Sequence, residues 1–396
     1  MTSHADLIVV GAGLAGSATA WAASARGMSV VVLEAHGAGH QLGSSHGSAR
    51  IFRRAYPDPL YVRLTGRARL AWRQLEDEAG ETLLQLTGGL DFGPRRDPER
   101  LHAVLTSCGV PAALLPPAQA AERWPGISFE APVGVLGGGP VMYHADAGVL
   151  DPDRATAAMA RLAAARGADV RFGTPVTHLS AGTGGDGALV HTDGGTFTAP
   201  VAVIAAGGWL APLAGDLVRL PPLEVSQQQV FHLAPHAAPG GGVPPPPGRP
   251  YGDNPWPIFI YRDDADHFYG LPGGRDGEVP GAVKLGEHHG GVATTAAGRD
   301  GVVDPAGRDR AIAFAARRLP GLEPRPVNEF TCLYTTTANE DFILDRQGPF
   351  VIASACSGHG AKFAPLLGEI IAGLAAGQPA PDSRFTLAAH LAAQAS

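Results

Sequence analysis

Residues 6–16 read Asp6-Leu-Ile-Val-Val-Gly-Ala-Gly-Leu-Ala-Gly16. The first part is a short β-branched run, which is typical of a strand buried on both faces. The glycines follow at once with the spacing G-x-G-x-x-G, and residues 17–25 have the composition of a helix. Residues 28–34 supply a second strand, which closes a βαβ unit of about 30 residues. This unit predicts a Rossmann-type domain that binds a dinucleotide.

Each glycine of the motif has its own predicted role. Gly11 allows a tight turn, Gly13 lets the backbone approach a pyrophosphate, and Gly16 packs the helix against the strand. The N-terminus of the helix offers N–H groups and a positive dipole end to the anion. Glu34 ends the second strand, where its carboxylate can accept the hydroxyls of a ribose. The predicted nucleotide-binding residues are Gly11, Gly13, Leu14, Ala15, Gly16 and Glu34, a set that does not separate FAD from NAD.

Composition limits the class of protein. The chain has 396 residues, enough for two domains. Its 37 acidic and 30 basic residues give a net charge of −7, which provides no footprint for nucleic acid or an anionic membrane. The apolar N-terminus lacks a basic region and is broken by glycines, so no signal peptide is expected. Three cysteines do not suggest a disulfide framework, and we expect a cytoplasmic protein with no metal site.

The rest of the chain predicts two kinds of structure. Elements that extend the nucleotide-binding sheet are a helix over 150–167 capped by Asp151-Pro152, buried strands at 170–172, 201–204 and 350–353, the loop 356–360 and a helix ending at 373. Antiparallel strands are predicted at 225–233, 257–261 and 267–271. The tract 239–250 predicts a loop of polyproline II character.

These elements predict a discontinuous domain organisation. An α/β FAD- or NAD-binding domain would comprise residues 1–90, 146–220 and 326–396. A mainly antiparallel β substrate domain of the α+β type would be inserted as residues 91–145 and 221–325. The fold class is therefore α/β, with an inserted β domain.

Four further segments decide between the cofactors. Together they resemble the monomeric sarcosine oxidase and N-methyltryptophan oxidase family, within the D-amino-acid-oxidase-like flavoproteins. The segments are Ser44-Ser-His-Gly-Ser-Ala-Arg-Ile-Phe-Arg-Arg-Ala-Tyr56, Lys284-Leu-Gly-Glu-His288, Thr331-Cys-Leu-Tyr-Thr335 and Ser357-Gly-His-Gly-Ala-Lys-Phe363. With the N-terminal motif they span nearly the whole chain in the order of the family, and the resemblance implies FAD as the cofactor.

The resemblance implies a covalent attachment. Cys332 matches the cysteine that forms a thioether to the 8α-methyl group of the flavin. Cys108 and Cys356 lack that context, and we interpret them as ordinary thiols. The other FAD-binding residues that the resemblance implies are Ser44, Arg50, Gly358, His359, Gly360 and Lys362.

The resemblance also assigns roles in binding and catalysis. Arg53 and Lys362 match the two cations that hold the substrate carboxylate, a task suited to the fork of Arg. Lys284 matches the lysine that activates oxygen, because an ammonium stabilises developing superoxide charge. Its alternation with apolar Val283 and Leu285 predicts that it points away from them. Further catalytic residues implied by the resemblance are Arg50, His46, Tyr269 and His288, whereas Arg54 has no match and is interpreted as a surface residue.

The chain departs from the family pattern at three places. Ala49 stands where a hydroxyl residue is common, and the adjacent Ser48 need not replace it. An insertion at 273–280 and the proline tract at 244–247 both fall in the predicted substrate domain. These differences weaken the case for sarcosine itself and leave a larger or cyclic substrate open.

The predicted reaction is oxidation of the C–N bond of a small secondary amino acid to an imine, with O2 converted to H2O2. One alternative is a biosynthetic oxidase of the same family that acts on a piperidine- or pyrroline-carboxylate-like substrate. A second is a flavin dehydrogenase with another electron acceptor, against which Lys284 argues. A third is a nucleotide-binding protein without activity, which has no use for the Cys332 motif. The family suggests a monomer that binds only small molecules.

Overall fold

The computed structural model describes residues 3–130, 139–236 and 256–393. The proline-rich tract predicted at 239–250 lies outside these ranges. Within them, the chain forms four sheets and nine α-helices. The two larger sheets correspond to the α/β and antiparallel β parts that the sequence predicts, so the predicted fold class is confirmed.

A six-stranded sheet builds the nucleotide-binding part. Five strands run parallel, and only the edge strand β21 is antiparallel to its neighbour. Apolar clusters cover both faces, so the central strands are continuous hydrophobic runs. The helices on one side are α1 (Leu14–Ala25), α5 (Pro152–Ala165) and α8 (Ala364–Ala375). In spatial order the strands are β10 (Asp169–Arg171), β3 (Val30–Leu33), β2 (Leu7–Val10), β14 (Val201–Ile204), β22 (Phe350–Ser354) and β21 (Ile343–Gln347).

Most predicted elements of this sheet are present, with two differences. The first helix begins at Leu14 rather than Ser17, because Gly13 already occupies its N-cap position. The strand predicted as buried at 170–172 is instead an edge strand that pairs only with β3. Its residues are exposed or half-buried, and the side chain of Phe172 is 41% exposed. The prediction of a buried strand was wrong there, since apolar content alone does not reveal a position at the sheet edge.

A nine-stranded sheet, antiparallel except for the pair β16 and β6, forms the second part. Helix α7 packs with its core. In spatial order the strands are β19 (Val292–Thr294), β15 (Glu224–Pro235), β18 (Val283–Glu287), β17 (His267–Pro272), β16 (Ile258–Arg262), β6 (Gly89–Phe92), β8 (Val141–His144) and β7 (Ala113–Leu115), with β20 (Leu322–Thr336) paired to β15.

Two small sheets and the helices complete the described fold. One sheet contains β1 (Ser3–His4), β13 (Gly195–Ala199), β12 (Ala188–Thr192) and β11 (Val176–Ala181), and the other contains β4 (Arg50–Phe52), β9 (Gly148–Leu150) and β5 (Leu84–Leu86). The helices are α1 (Leu14–Ala25), α2 (Pro59–Ala79), α3 (Pro98–Ser107), α4 (Pro117–Arg123), α5 (Pro152–Ala165), α6 (Leu210–Ala214), α7 (Pro305–Arg318), α8 (Ala364–Ala375) and α9 (Leu387–Ala392). In the part of the chain described, none of these helices combines the length and apolar character needed to cross a membrane.

Strand β20 links the two large parts of the chain. It begins before residue 326, where the sequence places a domain boundary, and pairs with β15 from Leu322 to Thr336. Cys332 therefore belongs to the nine-stranded sheet. The division into domains at the proposed residues stays a prediction.

Strand alternation fixes the direction of Lys284. Its neighbours Val283 and Leu285 lie in the apolar core on one face of the sheet, and Lys284 lies on the other face. Because β18 is flanked by β15 and β17, Lys284 is not at a sheet edge. His232 of β15 lies directly opposite Lys284 in the strand register. Opposite residues of an antiparallel pair share a face, so His232 is a cross-strand neighbour of the lysine.

Candidate active site

One long cavity runs between the glycine-rich loop and the nine-stranded sheet. Its volume is about 1150 Å³, above the range of about 300–1,000 Å³ typical of small-molecule pockets. It extends from Glu34 past the glycine loop to Lys284, Cys332 and Lys362. Every residue that the sequence predicts for the site lines this cavity except Gly16.

The glycine loop has the close approaches that its spacing predicts. A Cβ on Gly16 would lie 1.8 Å from the carbonyl oxygen of Gly11, so only glycine allows this contact between helix and turn. Gly11 itself has a φ of 96°, a conformation that favours glycine. Gly13 at the N-cap of α1 offers no side chain to the first turn. The Leu14 N–H donates to the Ser45 Oγ at 3.0 Å, and the positive end of the helix dipole favours an anion here.

Glu34 is held in place by the same loop. Its carboxylate accepts hydrogen bonds from the N–H groups of Ala12 at 2.8 Å and His36 at 3.0 Å, and it lies 3.3 Å from His40. Burial raises the pKa of Glu34, but the hydrogen bonds from His40, Ala12 and His36 outweigh that effect and lower it overall. The carboxylate is therefore ionised and ready to accept hydroxyl donors.

The loop 44–56 carries two groups whose positions the chain fixes itself. The Arg50 guanidinium donates to the carbonyl oxygens of His46 at 2.7 Å and Ala49 at 3.0 Å. His46 is buried, and among the described residues its Nε2 has no hydrogen-bond partner. Burial, followed by the charges of Arg50 and Lys284, lowers the pKa of His46 to about 3. At neutral pH this histidine is a neutral neighbour of two cations.

Lys284 is a buried ammonium group with one hydrogen bond. It is 2% exposed, and its Nζ donates to the carbonyl oxygen of Ala49 at 3.1 Å. Burial, followed by the charge of Arg50, lowers the pKa of Lys284 to about 7. Ala49, where the chain departs from the family pattern, therefore contacts Lys284 through its backbone carbonyl. Ser48 forms hydrogen bonds with Asp276, which belongs to the insertion at 273–280.

Arg53 and Lys362 form a pair of cations around Tyr56. The guanidinium of Arg53 lies 4.2 Å from the centre of that ring, and the Lys362 Nζ lies 5.8 Å from it. Within the described ranges neither cation has a carboxylate partner: Arg53 donates to the carbonyl of Ala55, and Lys362 donates to that of His359 at 2.7 Å. Burial lowers the pKa of both groups, and the charge of Arg53 lowers that of Lys362 further. Two cations in this state favour an incoming anion.

Cys332 is 5% exposed and lines the cavity together with two tyrosines, Tyr269 and Tyr334. Tyr269 and Tyr334 share a hydrogen bond, and burial raises the pKa of Tyr269 to about 12. The three cysteines of the chain are free thiols. Cys356 also lines the cavity, where its sulfur accepts a hydrogen bond from the Thr335 N–H at 3.5 Å.

Histidines and one ion pair border the outer part of the cavity. The His288 ring lies 4.7 Å from the His267 ring and 4.1 Å from that of His289. His289 and Glu340 form an ion pair at 2.7 Å. Donor atoms of His288, His289 and Glu340 lie within 4.8 Å of one another, and the expectation of no metal stays a prediction.

The structure corrects the prediction for Arg54 and adds several residues to the candidate site. Arg54 is not a surface residue: it is half-buried and bonds to Asp146 and to the carbonyl of Val62. No sequence pattern indicated the cavity-lining residues Arg262, His267 and Tyr334, or His232 beside Lys284. One feature of the sequence could have indicated that both lysine amines belong to the site. The chain contains only two lysines, Lys284 and Lys362, and both lie in this cavity.

Comparison with known proteins places the chain in a family. The family described as DAO, FAD dependent oxidoreductase, matches residues 6–374. The chain belongs to this family. The oxidoreductase is 32% identical to the N-methyl-L-tryptophan oxidase of Yersinia pestis (strain Pestoides F), an alignment covering 97% of this chain and 98% of that protein. The relative of the same name from Yersinia pseudotuberculosis serotype O:1b (strain IP 31758) matches equally.

Solved structures agree with this family. The oxidoreductase superposes on NikD, an unusual amino acid oxidase essential for nikkomycin biosynthesis, with a TM-score of 0.80 and 28% identity, covering 97% of this chain and 98% of that one. L-proline dehydrogenase from P. horikoshii has the same TM-score at 21% identity and covers 100% and 99% of the two chains, which supports the fold alone.

The residues of the oxidoreductase fit FAD. The N-terminus of α1 lines the cavity and suits a pyrophosphate, and the ionised Glu34 carboxylate suits ribose hydroxyls. The cavity continues beyond this dinucleotide end to Cys332 and Lys284, which gives room for a flavin ring and a small substrate.

Buried neutral histidines predict the acid sensitivity of the oxidoreductase. Burial lowers the pKa to about 3 at His46 and His232 and to about 4 at His144. An unfolded histidine has a pKa near about 6.5, so below that pH the unfolded chain binds more protons. Each such group removes about 1.4 kcal/mol of unfolding free energy per pH unit between about 6.5 and its folded pKa. Urea unfolding from pH 8 to pH 5 should show stability that falls below about pH 6.5.

A His144→Phe variant provides the control for this effect. Burial lowers the pKa of six histidines in all, His46, His144, His232, His267, His288 and His359, so removing one of them should lower the pH slope by about a sixth at similar side-chain size. Stability that is constant or rises from pH 7 to pH 5 would contradict the assignment of neutral buried histidines.

Proposed function

We propose that the protein is an FAD-dependent oxidase of a small secondary amino acid, either N-methylated or cyclic, that carries its flavin on Cys332 and uses O2. The observation that carries the proposal is the pair Arg53 and Lys362. These cations share Tyr56 as a neighbour and have no carboxylate partner among the described residues. An amino acid carboxylate supplies the missing anion and is held in one orientation by two charge-assisted contacts.

The other residues of the cavity support the rest of the proposal. FAD, when bound, supplies the two-electron acceptor for the C–H bond beside the substrate nitrogen. Tyr269 and His288 line the same cavity as the carboxylate-binding pair, where they can shape the space for the amine and its substituent. Lys284 and Arg50 add fixed positive charge, which stabilises the negative charge that develops on O2. No residue is assigned as an obligate base, and the amine must be neutral when it reacts.

Two relatives support a secondary amino acid as substrate. The similar proteins of Yersinia are named N-methyl-L-tryptophan oxidases, and the NikD structure is described as an unusual amino acid oxidase. The second of these, described as essential for nikkomycin biosynthesis, favours a biosynthetic oxidase as the alternative, and its cyclic imino acid substrate rests on the motif resemblance alone. A dehydrogenase with another acceptor is the less favoured alternative, because Lys284 is a buried cation in the reaction cavity.

Acid precipitation tests the covalent attachment. We expect the purified protein to give a yellow pellet and a clear supernatant in acid. The Cys332→Ala variant should instead release its flavin into the supernatant. Cys108→Ala is the matched control, because this half-buried thiol lies at the C-terminal end of α3 and does not line the cavity. Flavin that is released from the unaltered protein would refute attachment at Cys332.

Turnover is tested by H2O2 release from a panel of N-methyl and cyclic amino acids. Release from at least one of them, and none from the corresponding secondary amines without a carboxylate, is the expected result. We also propose a cytoplasmic monomer, because none of its three cysteines forms a disulfide; size-exclusion chromatography with light scattering should give a protein mass near 40.6 kDa.

A further inference from the structure

A second unpaired cation site lies in the outer part of the cavity. Arg262 ends strand β16 and lies directly opposite His267 of β17 in the antiparallel register. Opposite residues of such a pair share one face of the sheet. Both residues line the cavity, as does Ile260, two positions earlier on the same strand face. We refer to Ile260, Arg262, His267 and His288 as the outer wall.

The carboxylates that follow Arg262 in the chain are engaged elsewhere. Asp263 accepts a hydrogen bond from the Tyr261 hydroxyl, Asp264 pairs with Arg95, and Asp266 pairs with Arg317. Arg262 consequently has no carboxylate partner in the part of the chain that the structure describes. Arg262 is exposed at its end of the cavity, so its guanidinium is solvated until a ligand carboxylate replaces the water.

The other charged side chains near the outer wall are paired with groups of opposite charge. Arg96 pairs with the buried Asp91, and His289 pairs with Glu340. His267 is neutral, since burial and the charges of Arg262 and Arg96 lower its pKa to about 4, with Arg53 contributing in the same direction. Arg53 and Arg262 thus act on the same histidine. Once a substrate carboxylate has bound Arg53 and Lys362, Arg262 is the cation of the outer wall that still has no anion.

We propose that the substrate carries a second carboxylate, in its side chain or on its ring, and that Arg262 binds it with His267 as a neighbouring donor. The substrate class is then an N-alkylated or cyclic amino dicarboxylic acid. This inference rests on the proposed function, because it takes Arg53 and Lys362 as the site of the α-carboxylate. The composition of the outer wall agrees with it: one arginine and two histidines accompany a single apolar residue, Ile260.

Matched substrates test the proposal. N-methyl-L-glutamate and N-methyl-L-glutamine differ in one charge at nearly constant shape. We expect kcat/KM to be roughly 10- to 100-fold higher for the acidic member, the discrimination of about 1.4–2.7 kcal/mol that a charge-assisted contact provides. In Arg262→Gln the ratio should fall to near one, and in Arg262→Glu N-methyl-L-lysine should become the better substrate than N-methyl-L-glutamate. Arg63→Gln is the matched control, because Arg63 is exposed on α2 and does not line the cavity.

Binding without turnover gives a second readout. Glutarate should inhibit more strongly than butyrate, and Arg262→Gln should remove most of that difference. A preference for neutral substrates, or an acidic preference that persists in Arg262→Gln, would overturn the assignment to Arg262. If no secondary amino acid of either kind releases H2O2, the proposed function itself fails, whereas turnover of neutral substrates alone refutes only the second carboxylate.

Discussion

Replacing Lys284 with Met is expected to slow the reaction with O2 by roughly 100- to 1,000-fold, the effect typical of removing one preorganised charge from a reaction site. The ammonium group is buried and held by the carbonyl of Ala49, so it is in place before O2 arrives. Stopped-flow mixing of the substrate-treated enzyme with aerated buffer measures this step separately from the reaction with substrate. We expect the substrate step to change far less.

The pH dependence of the same step distinguishes charge from packing. The pKa of Lys284 is lowered to about 7, so its cationic form is lost as the pH rises through neutrality. The rate with O2 should therefore fall above about pH 7 in the unaltered enzyme. In Lys284→Arg, where the charge persists, this fall should be absent.

A cation distant from the cavity supplies the control for this test. Arg63→Met removes an exposed cation from α2 and should change neither step. An unchanged rate with O2 in Lys284→Met would point to the dehydrogenase alternative, in which another acceptor takes the electrons.

Replacing Arg53 with Met is expected to lower kcat/KM for the amino acid substrate by roughly 1,000-fold. Removing one partner of a desolvated charge pair typically costs about 3–5 kcal/mol, which corresponds to about 160- to 4,700-fold in rate. Lys362→Met should have a similar effect, and the double variant should lose less than the product of both, because the two cations bind the same carboxylate. Steady-state H2O2 release measures these values.

A substrate analogue without the carboxylate supplies the control for Arg53. An analogue whose carboxylate is replaced by an amide should be a poor substrate of the unaltered enzyme and should be little affected by Arg53→Met. Arg63→Met again serves as the variant with a distant cation. Equal kcat/KM values for Arg53→Met and the unaltered enzyme would exclude Arg53 from carboxylate binding and would remove the main support of the proposed function.

Local sequence rules were sufficient for the nucleotide-binding end. The contacts among Gly11, Gly16 and Glu34 lie within one βαβ unit, where strand, turn and helix follow one another directly in the chain. Glycine spacing and a carboxylate at the end of a strand therefore predict the geometry without long-range information. The buried strands of the central sheet were predicted for the same reason, whereas the edge position of β10 depends on sheet order.

The sequence by itself determined the FAD-binding unit, the two-part α/β and β architecture, and, through motif resemblance, the residues gathered at the cavity. Only the tertiary structure decided which charges are left unpaired. Strand register puts His232 beside Lys284 and Arg262 opposite His267, although each pair is separated by intervening residues or strands in the chain. Other charged residues of the cavity already have partners, as Arg96 has in Asp91 and His289 in Glu340. A residue's partner and its exposure are properties of packing between distant segments, which local sequence patterns do not encode.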